Sequence, residues 1–137
     1  MFGSKVASFF VAAVVAAAGV QAVTREPVRR DECVYYCGDV CYWQVDIDDA
    51  VDQGYSLYKS GDTVGDNDYP HEFNNYEGFD LETASPWYEF PILSSYEVYD
   101  GGAPGTDRVI FNSKGQQDIL VTHTGASGND FVACEAA

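Results

Sequence analysis

Four cysteines constrain this chain more than any other feature of its sequence. Three of them, Cys33, Cys37 and Cys41, lie within one short segment, and Cys134 is close to the C-terminus. An even number of cysteines in a small exported domain predicts disulfides. Zinc is the alternative, but no histidine lies near these cysteines. The spacing alone leaves all three possible pairings open. Any bond to Cys134 closes a loop of roughly a hundred residues, worth on the order of 4–5 kcal/mol in the chain-entropy model.

The first 30 residues have the composition of a leader. Lys5 precedes an apolar run over residues 6–20, and Gln21 and Ala22 follow it, which is the pattern of a secretory signal peptide over residues 1–22. A membrane anchor is the alternative, but about 20 apolar residues are needed to span a bilayer. Residues 23–30 end in the pair Arg29–Arg30, which indicates a short pro-segment, unless the pair is simply solvated in a frayed terminus. The sequence therefore predicts a secreted, extracellular domain over residues 31–137.

This predicted mature domain is strongly acidic. Residues 31–137 retain three of the seven Lys and Arg side chains and 21 of the 22 acids, which gives a formal net charge of −18. Such a chain repels polyanions at long range, and so non-specific nucleic-acid binding driven by counterion release is excluded. Any nucleic-acid ligand has to be held by a specific pocket.

The apolar pattern predicts one helix and several strands. Residues 44–60 place apolar or small side chains at helical spacing, acids begin the segment and Gly61 follows it. Residues 33–43 predict a short disulfide-pinned β-hairpin. Strand-like runs follow at 87–93, 108–112, 119–124 and 131–134, separated by turn-rich segments. Short links between strands indicate an antiparallel sheet, so we expect an α+β domain with one α-helix packed on a central antiparallel β-sheet.

Titratable side chains occur at strand positions where apolar residues are the default. Glu89 interrupts an apolar run, Arg108 begins another, and His123 follows a third. His71, the other of the two histidines, lies in a polar segment. Burying such groups costs free energy unless they are paired. If the strands are neighbours, the four side chains converge on one sheet face. They form either a salt-bridge network without function or a general base, a general acid and a cation for phosphoryl transfer.

The segment 68–81 has the composition of a ligand-binding loop. It combines a histidine, acids, aromatic rings and the pair Asn74–Asn75, and Pro70 and Gly78 favour turns within it. This mixture suits neither a core strand nor an amphipathic helix. We expect the loop to direct backbone amides, a carboxylate and ring faces towards a nucleobase. No acid cluster has convincing spacing for a catalytic metal, so we expect a reaction that needs no metal and no cofactor.

Long segments of the chain resemble the guanine-specific extracellular ribonucleases of fungi, the ribonuclease T-one type. The resemblance extends from Cys33 to Cys134 without insertion or deletion. The matching segments are Tyr-Pro-His at 69–71, Asn-Asn-Tyr-Glu-Gly-Phe-Asp at 74–80, Glu-Phe-Pro-Ile-Leu-Ser-Ser at 89–95, Gly-Gly-Ala-Pro-Gly-Thr-Asp-Arg-Val at 101–109 and Thr-His-Thr-Gly-Ala-Ser-Gly-Asn at 122–129.

The resemblance implies a metal-independent endoribonuclease that cuts single-stranded RNA after guanosine. In this family pattern Glu89 is the base that takes the 2′-hydroxyl proton, with His71 assisting, and His123 is the acid that protonates the leaving 5′-oxygen. Arg108 and the Tyr69 hydroxyl stabilise the transition state, and Phe131 packs against it. The product is a 2′,3′-cyclic phosphate, later hydrolysed to a 3′-phosphate. The implied partner is RNA alone, without DNA or a membrane, and the implied protein is a monomer.

The resemblance also implies how guanine is bound. Backbone amides of the segment 74–76 donate to the base, the Glu77 carboxylate accepts from its N1–H and 2-amino groups, and Asn129 adds a backbone contact. Two rings stack on the base. The residues implied are Phe73, Asn74, Asn75, Tyr76, Glu77 and Asn129. The family pattern further implies disulfides Cys33–Cys41 and Cys37–Cys134, and cis peptide bonds before Pro70 and Pro86.

Three positions depart from the family pattern. Glu72 stands where the ribonuclease T-one type has lysine, Phe73 lacks a hydroxyl often found there, and Phe90 replaces a tryptophan. None belongs to the acid–base set.

Two other functions share the fold, namely a ribonuclease-like effector that binds RNA or a host protein without cleaving it and a ribosome-targeting toxin. The first lacks catalytic residues that this chain keeps, and the second carries long basic loops that this chain lacks.

Overall fold

The computed structural model describes residues 32–137, and the predicted signal peptide and pro-segment lie outside them. Within this range no helix is long and apolar enough to cross a membrane. The described part contains one α-helix and eight strands. In chain order they are β1 (Tyr35–Cys37), β2 (Val40–Tyr42), α1 (Gln44–Ser60), β3 (His71–Phe73), β4 (Trp87–Pro91), β5 (Asp107–Asn112), β6 (Gln117–Thr122), β7 (Val132–Ala133) and β8 (Glu135–Ala136).

The strands form two antiparallel sheets. A small sheet has the order β2-β1-β8, and the central sheet has the order β3-β4-β5-β6-β7. The predicted α+β class, the N-terminal hairpin and the helix over residues 44–60 are confirmed. The predicted strands are all present but differ at their ends. In the last of them Val132 and Ala133 form the strand, and Cys134 N still donates to Leu120 O at 2.9 Å just beyond it.

The segment 68–81 contains a strand that the sequence analysis did not predict. His71–Phe73 forms β3, the edge strand of the central sheet, and pairs with β4. The expectation that this polar mixture does not suit a core strand is not contradicted, because these three residues lie at the edge of the sheet. An edge strand is hydrogen-bonded on one side only, so it accepts the alternation of half-exposed His71, exposed Glu72 and buried Phe73.

The helix packs closely against one face of the central sheet. Its buried side includes Ile47, Ala50 and Val51, and these meet a core that contains Phe90 and Phe111. Gly54 marks the closest approach, since a Cβ atom there would lie 2.9 Å from Phe111 Cε1 and 3.0 Å from Phe90 Cβ. The predicted apolar face is therefore confirmed, and its glycine is what lets the helix lie so near the sheet.

One disulfide and a buried hydrogen-bond cluster attach the small sheet to the rest. The disulfides are Cys33–Cys41, which closes the hairpin itself, and Cys37–Cys134, which joins β1 to the residue after β7. This is the pairing that the family resemblance implies. The Tyr42 hydroxyl donates to the buried Asp107 carboxylate, which also accepts from the Thr122 hydroxyl at 2.7 Å. Burial first, and then this hydrogen bond, raises the pKa of the Tyr42 hydroxyl well above its usual value. The hairpin is thus fixed to the start of β5, next to Arg108.

Candidate functional site

Strand register brings the first pair of site residues together. His71 on β3 lies directly opposite Glu89 on β4, and residues so paired project to the same face. His71 Nε2 is 3.0 Å from Glu89 Oε1. Glu89 Oε2 is in turn 3.4 Å from Arg108 Nε. The predicted convergence of His71, Glu89 and Arg108 is confirmed.

Both ring nitrogens of His71 face hydrogen-bond acceptors. Nδ1 lies 2.9 Å from the Asn67 carbonyl oxygen, and Nε2 faces the Glu89 carboxylate. Only the doubly protonated imidazolium donates to both acceptors at once. The hydrogen bond to Glu89 is the main cause that raises the pKa of His71 above its usual value, and burial opposes it. The contact with Glu89 therefore favours the charged form of His71.

Arg108 is buried and held by a dense set of acceptors. Its Nη1 donates to the carbonyl oxygens of Gly105 and Asp107, each at 2.9 Å, and its Nη2 donates to the Tyr69 hydroxyl at 2.9 Å. The guanidinium also lies 5.1 Å from the centre of the Tyr69 ring. Within residues 32–137 Nε is a buried donor without a hydrogen bond. A rigidly held buried cation of this kind suits an anionic ligand such as a phosphate.

His123 follows β6 on the other side of the site. Its Nδ1 lies 2.8 Å from the Asp130 carbonyl oxygen, so Nδ1 carries a proton and Nε2 is directed to other partners. The ring stacks on Phe131 with centroids 4.1 Å apart. Packing of Phe131 against the reacting phosphate stays a prediction. His123 is separated from Glu89 by the width of β5 and β6, which places the candidate base and the candidate acid on opposite sides of Arg108.

A cavity of about 440 Å³ opens beside this cluster, and we call it the base pocket. It is large enough for one nucleobase with part of its sugar. All six residues predicted to bind guanine line it, together with Glu89 and Phe131. The full lining is Glu72, Phe73, Asn74, Asn75, Tyr76, Glu77, Glu89, Asn129, Asp130 and Phe131.

Two side chains fix the loop that forms the wall of the base pocket. Asn75 has φ +58°, and its side chain both accepts from Phe79 N at 2.8 Å and donates to Phe79 O at 2.9 Å. Glu77 Oε2 accepts from Phe131 N at 2.9 Å. The carboxylate is therefore held at the pocket wall before any ligand binds, which lowers the cost of ordering it on binding.

The two predicted stacking rings differ in their surroundings. Tyr76 is 90 % exposed, so its ring is available to close over a bound base. Phe73 is buried, with its ring stacked on Phe79 at 6.3 Å and edge-on to Phe131. Stacking of guanine on either ring stays a prediction.

Sequence reasoning missed the groups that orient the two histidines. These are the backbone carbonyls of Asn67 and Asp130, which any residue type supplies, so the sequence carries no signal for them. It also missed Thr106, whose carbonyl accepts from His123 N at 2.9 Å. Among residues 32–137, no group of three or more His, Cys, Asp or Glu side chains is placed to hold a metal ion.

Comparison with known proteins gives consistent matches. A family model described as ribonuclease matches residues 30–135. The chain is 63 % identical over 102 residues to guanyl-specific ribonuclease N1 of Neurospora crassa, covering 74 % of this chain and 67 % of that protein. It is 57 % identical over 102 residues to guanyl-specific ribonuclease T1 of Aspergillus oryzae, covering 74 % and 78 %. Among solved structures, ribonuclease He1 of Hericium erinaceus matches with a TM-score of 0.56 and 34 % identity, covering 73 % of this chain and 96 % of that one.

Proposed function

The chain belongs to the ribonuclease family that includes the fungal guanyl-specific enzymes, and from this premise we propose that it is an endoribonuclease that cleaves single-stranded RNA on the 3′ side of guanosine. The observation that carries the proposal is the continuity of the base pocket with Glu89. A base bound there places its own ribose and 3′-phosphate beside the ion-paired cluster. Family, pocket and charged cluster therefore point to one reaction at one place.

The first step is attack by the 2′-oxygen of guanosine on the adjacent phosphorus. The Glu89 carboxylate removes the 2′-hydroxyl proton, and His71 assists through its contact of 3.0 Å with that carboxylate. The bond from the 2′-oxygen to phosphorus forms as the bond to the 5′-oxygen of the next nucleotide breaks. His123 gives that oxygen its proton, since its Nδ1–H is engaged by Asp130 and Nε2 is left for the leaving group.

Arg108 stabilises the charge that builds on the phosphate oxygens in this step. Its two Nη groups are held by carbonyls and by Tyr69, so the guanidinium needs no rearrangement when the charge develops. The Tyr69 hydroxyl accepts from Nη2, and its own O–H can donate to that charge. The 2′,3′-cyclic product is then hydrolysed to a 3′-phosphate, with His123 activating water and Glu89 returning the proton to the 2′-oxygen.

Guanine is selected by the fixed Glu77 carboxylate. Guanine offers an N1–H and a 2-amino group to one carboxylate, whereas adenine has no N1 proton and would leave the anion partly unpaired. Backbone groups of Asn74, Asn75, Tyr76 and Asn129 line the same pocket. Recognition by hydrogen bonds to the base also suits a domain of net charge −18, which gains nothing from long-range attraction to RNA.

The family and the two disulfides are consistent with secretion. We propose that residues 1–22 and 23–30 are removed on export and that the remaining domain acts outside the cell as a monomer. RNA is the only nucleic acid it cleaves, because the reaction uses the 2′-hydroxyl that DNA lacks. No membrane takes part in this scheme.

The test is cleavage of the dinucleotides GpC and ApC by purified residues 31–137, in buffer with a chelator. We expect GpC to give guanosine 2′,3′-cyclic phosphate and cytidine, resolved by chromatography, while ApC stays intact under the same conditions. Cleavage of both at similar rates would overturn the guanine assignment. With both disulfides intact, absence of cleavage would overturn the enzymatic function.

A further inference from the structure

A second cavity adjoins the base pocket, and we call it the edge pocket. It measures about 250 Å³ and lies where β3 meets the start of β4. Residues 72–74 line both cavities, so one short stretch of backbone separates them. An RNA strand that leaves the base pocket across β3 therefore enters the edge pocket directly. Its lining is Glu72, Phe73, Asn74, Ser85, Pro86 and Trp87.

The position of the edge pocket decides which part of an RNA strand reaches it. In an in-line displacement the attacking and leaving oxygens occupy opposite sides of phosphorus. Glu89 on β4 serves the attacking side, and His123 after β6 serves the leaving side, two strand spacings or about 10 Å away. The edge pocket is formed by β3 and the start of β4, on the attacking side. The leaving nucleotide is therefore directed away from the edge pocket. The nucleotide on the 5′ side of guanosine is not directed away and can reach this pocket.

The lining of the edge pocket suits a single base. Trp87 is half-buried, and its Nε1–H is held at 3.2 Å by both the Thr83 carbonyl oxygen and the Thr83 hydroxyl, which fixes the indole ring. Pro86 adds exposed apolar surface, and Ser85 and Asn74 add polar groups beside it. Aromatic surfaces of this kind stack on bases with little regard to their identity. Resting on the proposed function, we propose that the edge pocket binds the base of the nucleotide immediately 5′ of the cleaved guanosine.

Glu72 sets the charge at the boundary between the two cavities. It is exposed, and the linings of both pockets lack a basic side chain among the described residues. The phosphate that joins the upstream nucleotide to guanosine has to pass this carboxylate. Repulsion between the two anions opposes upstream binding and is strongest at low ionic strength. Glu72 is thus a specificity-determining residue that weakens a subsite formed by its neighbours.

The first test compares the affinities of the trinucleotide ApdGpC and the dinucleotide dGpC, measured by calorimetry on residues 31–137. The 2′-deoxyguanosine prevents cleavage, so the affinity ratio does not depend on turnover. We expect ApdGpC to bind at least about fivefold more tightly. Trp87→Leu should reduce the ratio to about one, and the affinity for dGpC reports whether that variant is folded. Equal affinities in the wild-type protein would overturn the proposal.

The second test uses the exposed Glu72, where a substitution leaves the core intact. Glu72→Lys should raise the affinity ratio by a further threefold or so at low salt, and the gain should shrink as salt is added. Glu97→Lys makes the same charge change at an exposed position outside both pockets and should leave the ratio at the wild-type value. An equal rise in both variants would mean a general charge effect and overturn the role of Glu72.

Cleavage of GpC and ApGpC separates this proposal from the proposed function. If GpC is cleaved and the two deoxy ligands bind equally, the edge pocket is wrong and the enzymatic function stands. If ApdGpC binds more tightly and neither ribonucleotide is cleaved, the edge pocket stands and the enzymatic function is wrong.

Discussion

One face of the central sheet packs against α1, and the other face carries Glu89 and Arg108. On the helix face Phe90, Val109 and Phe111 are fully buried among apolar neighbours. On the site face Glu89 and Arg108 are also buried, but they are held by directional contacts to His71, to Tyr69 and to backbone carbonyls. Similar burial therefore rests on close packing on one face and on charge pairing on the other.

This difference indicates where the effects of a substitution on stability and on activity are separable. Apolar packing depends on volume and tolerates other hydrophobic side chains that keep it, whereas a buried ion pair tolerates almost no change of charge or geometry. Substitutions on the site face should therefore change the reaction as well as the fold, whereas substitutions on the helix face should change the fold and spare the reaction.

Glu89→Gln should have the largest effect on the reaction. The amide keeps the shape of the side chain but cannot take the 2′-hydroxyl proton, and general-base catalysis contributes roughly 10²- to 10⁴-fold. We expect kcat on GpC to fall by about that factor while affinity for guanosine 3′-phosphate changes little. Glu97→Gln, which neutralises an exposed acid far from the site, is the control and should keep wild-type kcat. Full activity in Glu89→Gln would remove Glu89 from the mechanism.

Glu77→Gln should change selectivity. It replaces an acceptor pair with one acceptor and one donor, and a hydrogen bond to a charged group is worth about 1.5–3 kcal/mol. The ratio of kcat/KM for GpC over ApC should fall by about 10- to 100-fold. Glu89→Gln should leave that ratio nearly constant although its rates are lower. The same loss of selectivity in both variants would show that base recognition and proton transfer are not divided between the two residues.

Gly54→Ala should destabilise the helix face without altering the site. The new methyl group would lie about 3 Å from both Phe90 and Phe111, and overpacking costs typically about 1–3 kcal/mol, against a gain of about 1 kcal/mol in helix propensity. We expect a net loss of up to about 2 kcal/mol in the free energy of unfolding from urea denaturation, with kcat/KM on GpC unchanged. Ser56→Ala on the exposed side of α1 is the control and should not destabilise the protein. A stabilised Gly54→Ala would show that the helix moves freely on the sheet.

The smallest effect concerns pH. The pKa of His71 is raised in the folded protein, so the stability that its hydrogen bond contributes is fully present below the unfolded value of about 6.5 and is lost as pH rises through the folded value. The His71 side chain is 39 % exposed, so solvent screens the effect. The difference in unfolding free energy between wild type and His71→Gln should be largest in mildly acidic buffer and decline at alkaline pH. A difference that grows with pH would contradict the charged His71–Glu89 pair.

The sequence predicted the helix face more completely than the site face. The spacing of Ile47, Ala50 and Val51 is enough to predict α1, because apolar residues at helical spacing mark the face that becomes buried. Glu89 and Arg108 also stood out, because charged residues in apolar strands need partners. The strand at His71–Phe73 did not, because its pairing depends on β4 and not on its own composition.

The disulfide pairing and the lining of the base pocket were predictable only through the family resemblance. The resemblance supplied the disulfide pairing and the residues that line the base pocket, which spacing and composition leave open. The carbonyls of Asn67 and Asp130 that orient the histidines could not be inferred from residue types at all. The edge pocket could not be inferred from residue types either, because Ser85 and Trp87 meet Asn74 only once β3 is paired with β4.

The most direct test of the two-sided arrangement is cleavage of guanosine 3′-(p-nitrophenyl phosphate) beside GpC by His123→Ala and Glu89→Gln. Nitrophenolate leaves without a proton, so it makes an acid on the leaving side unnecessary while a base on the attacking side is still needed. We expect His123→Ala to lose far more kcat/KM on GpC than on the nitrophenyl ester, and Glu89→Gln to lose about equally on both. Equal losses in His123→Ala, or rescue of Glu89→Gln by the ester, would contradict the assignment of base and acid to opposite sides of Arg108.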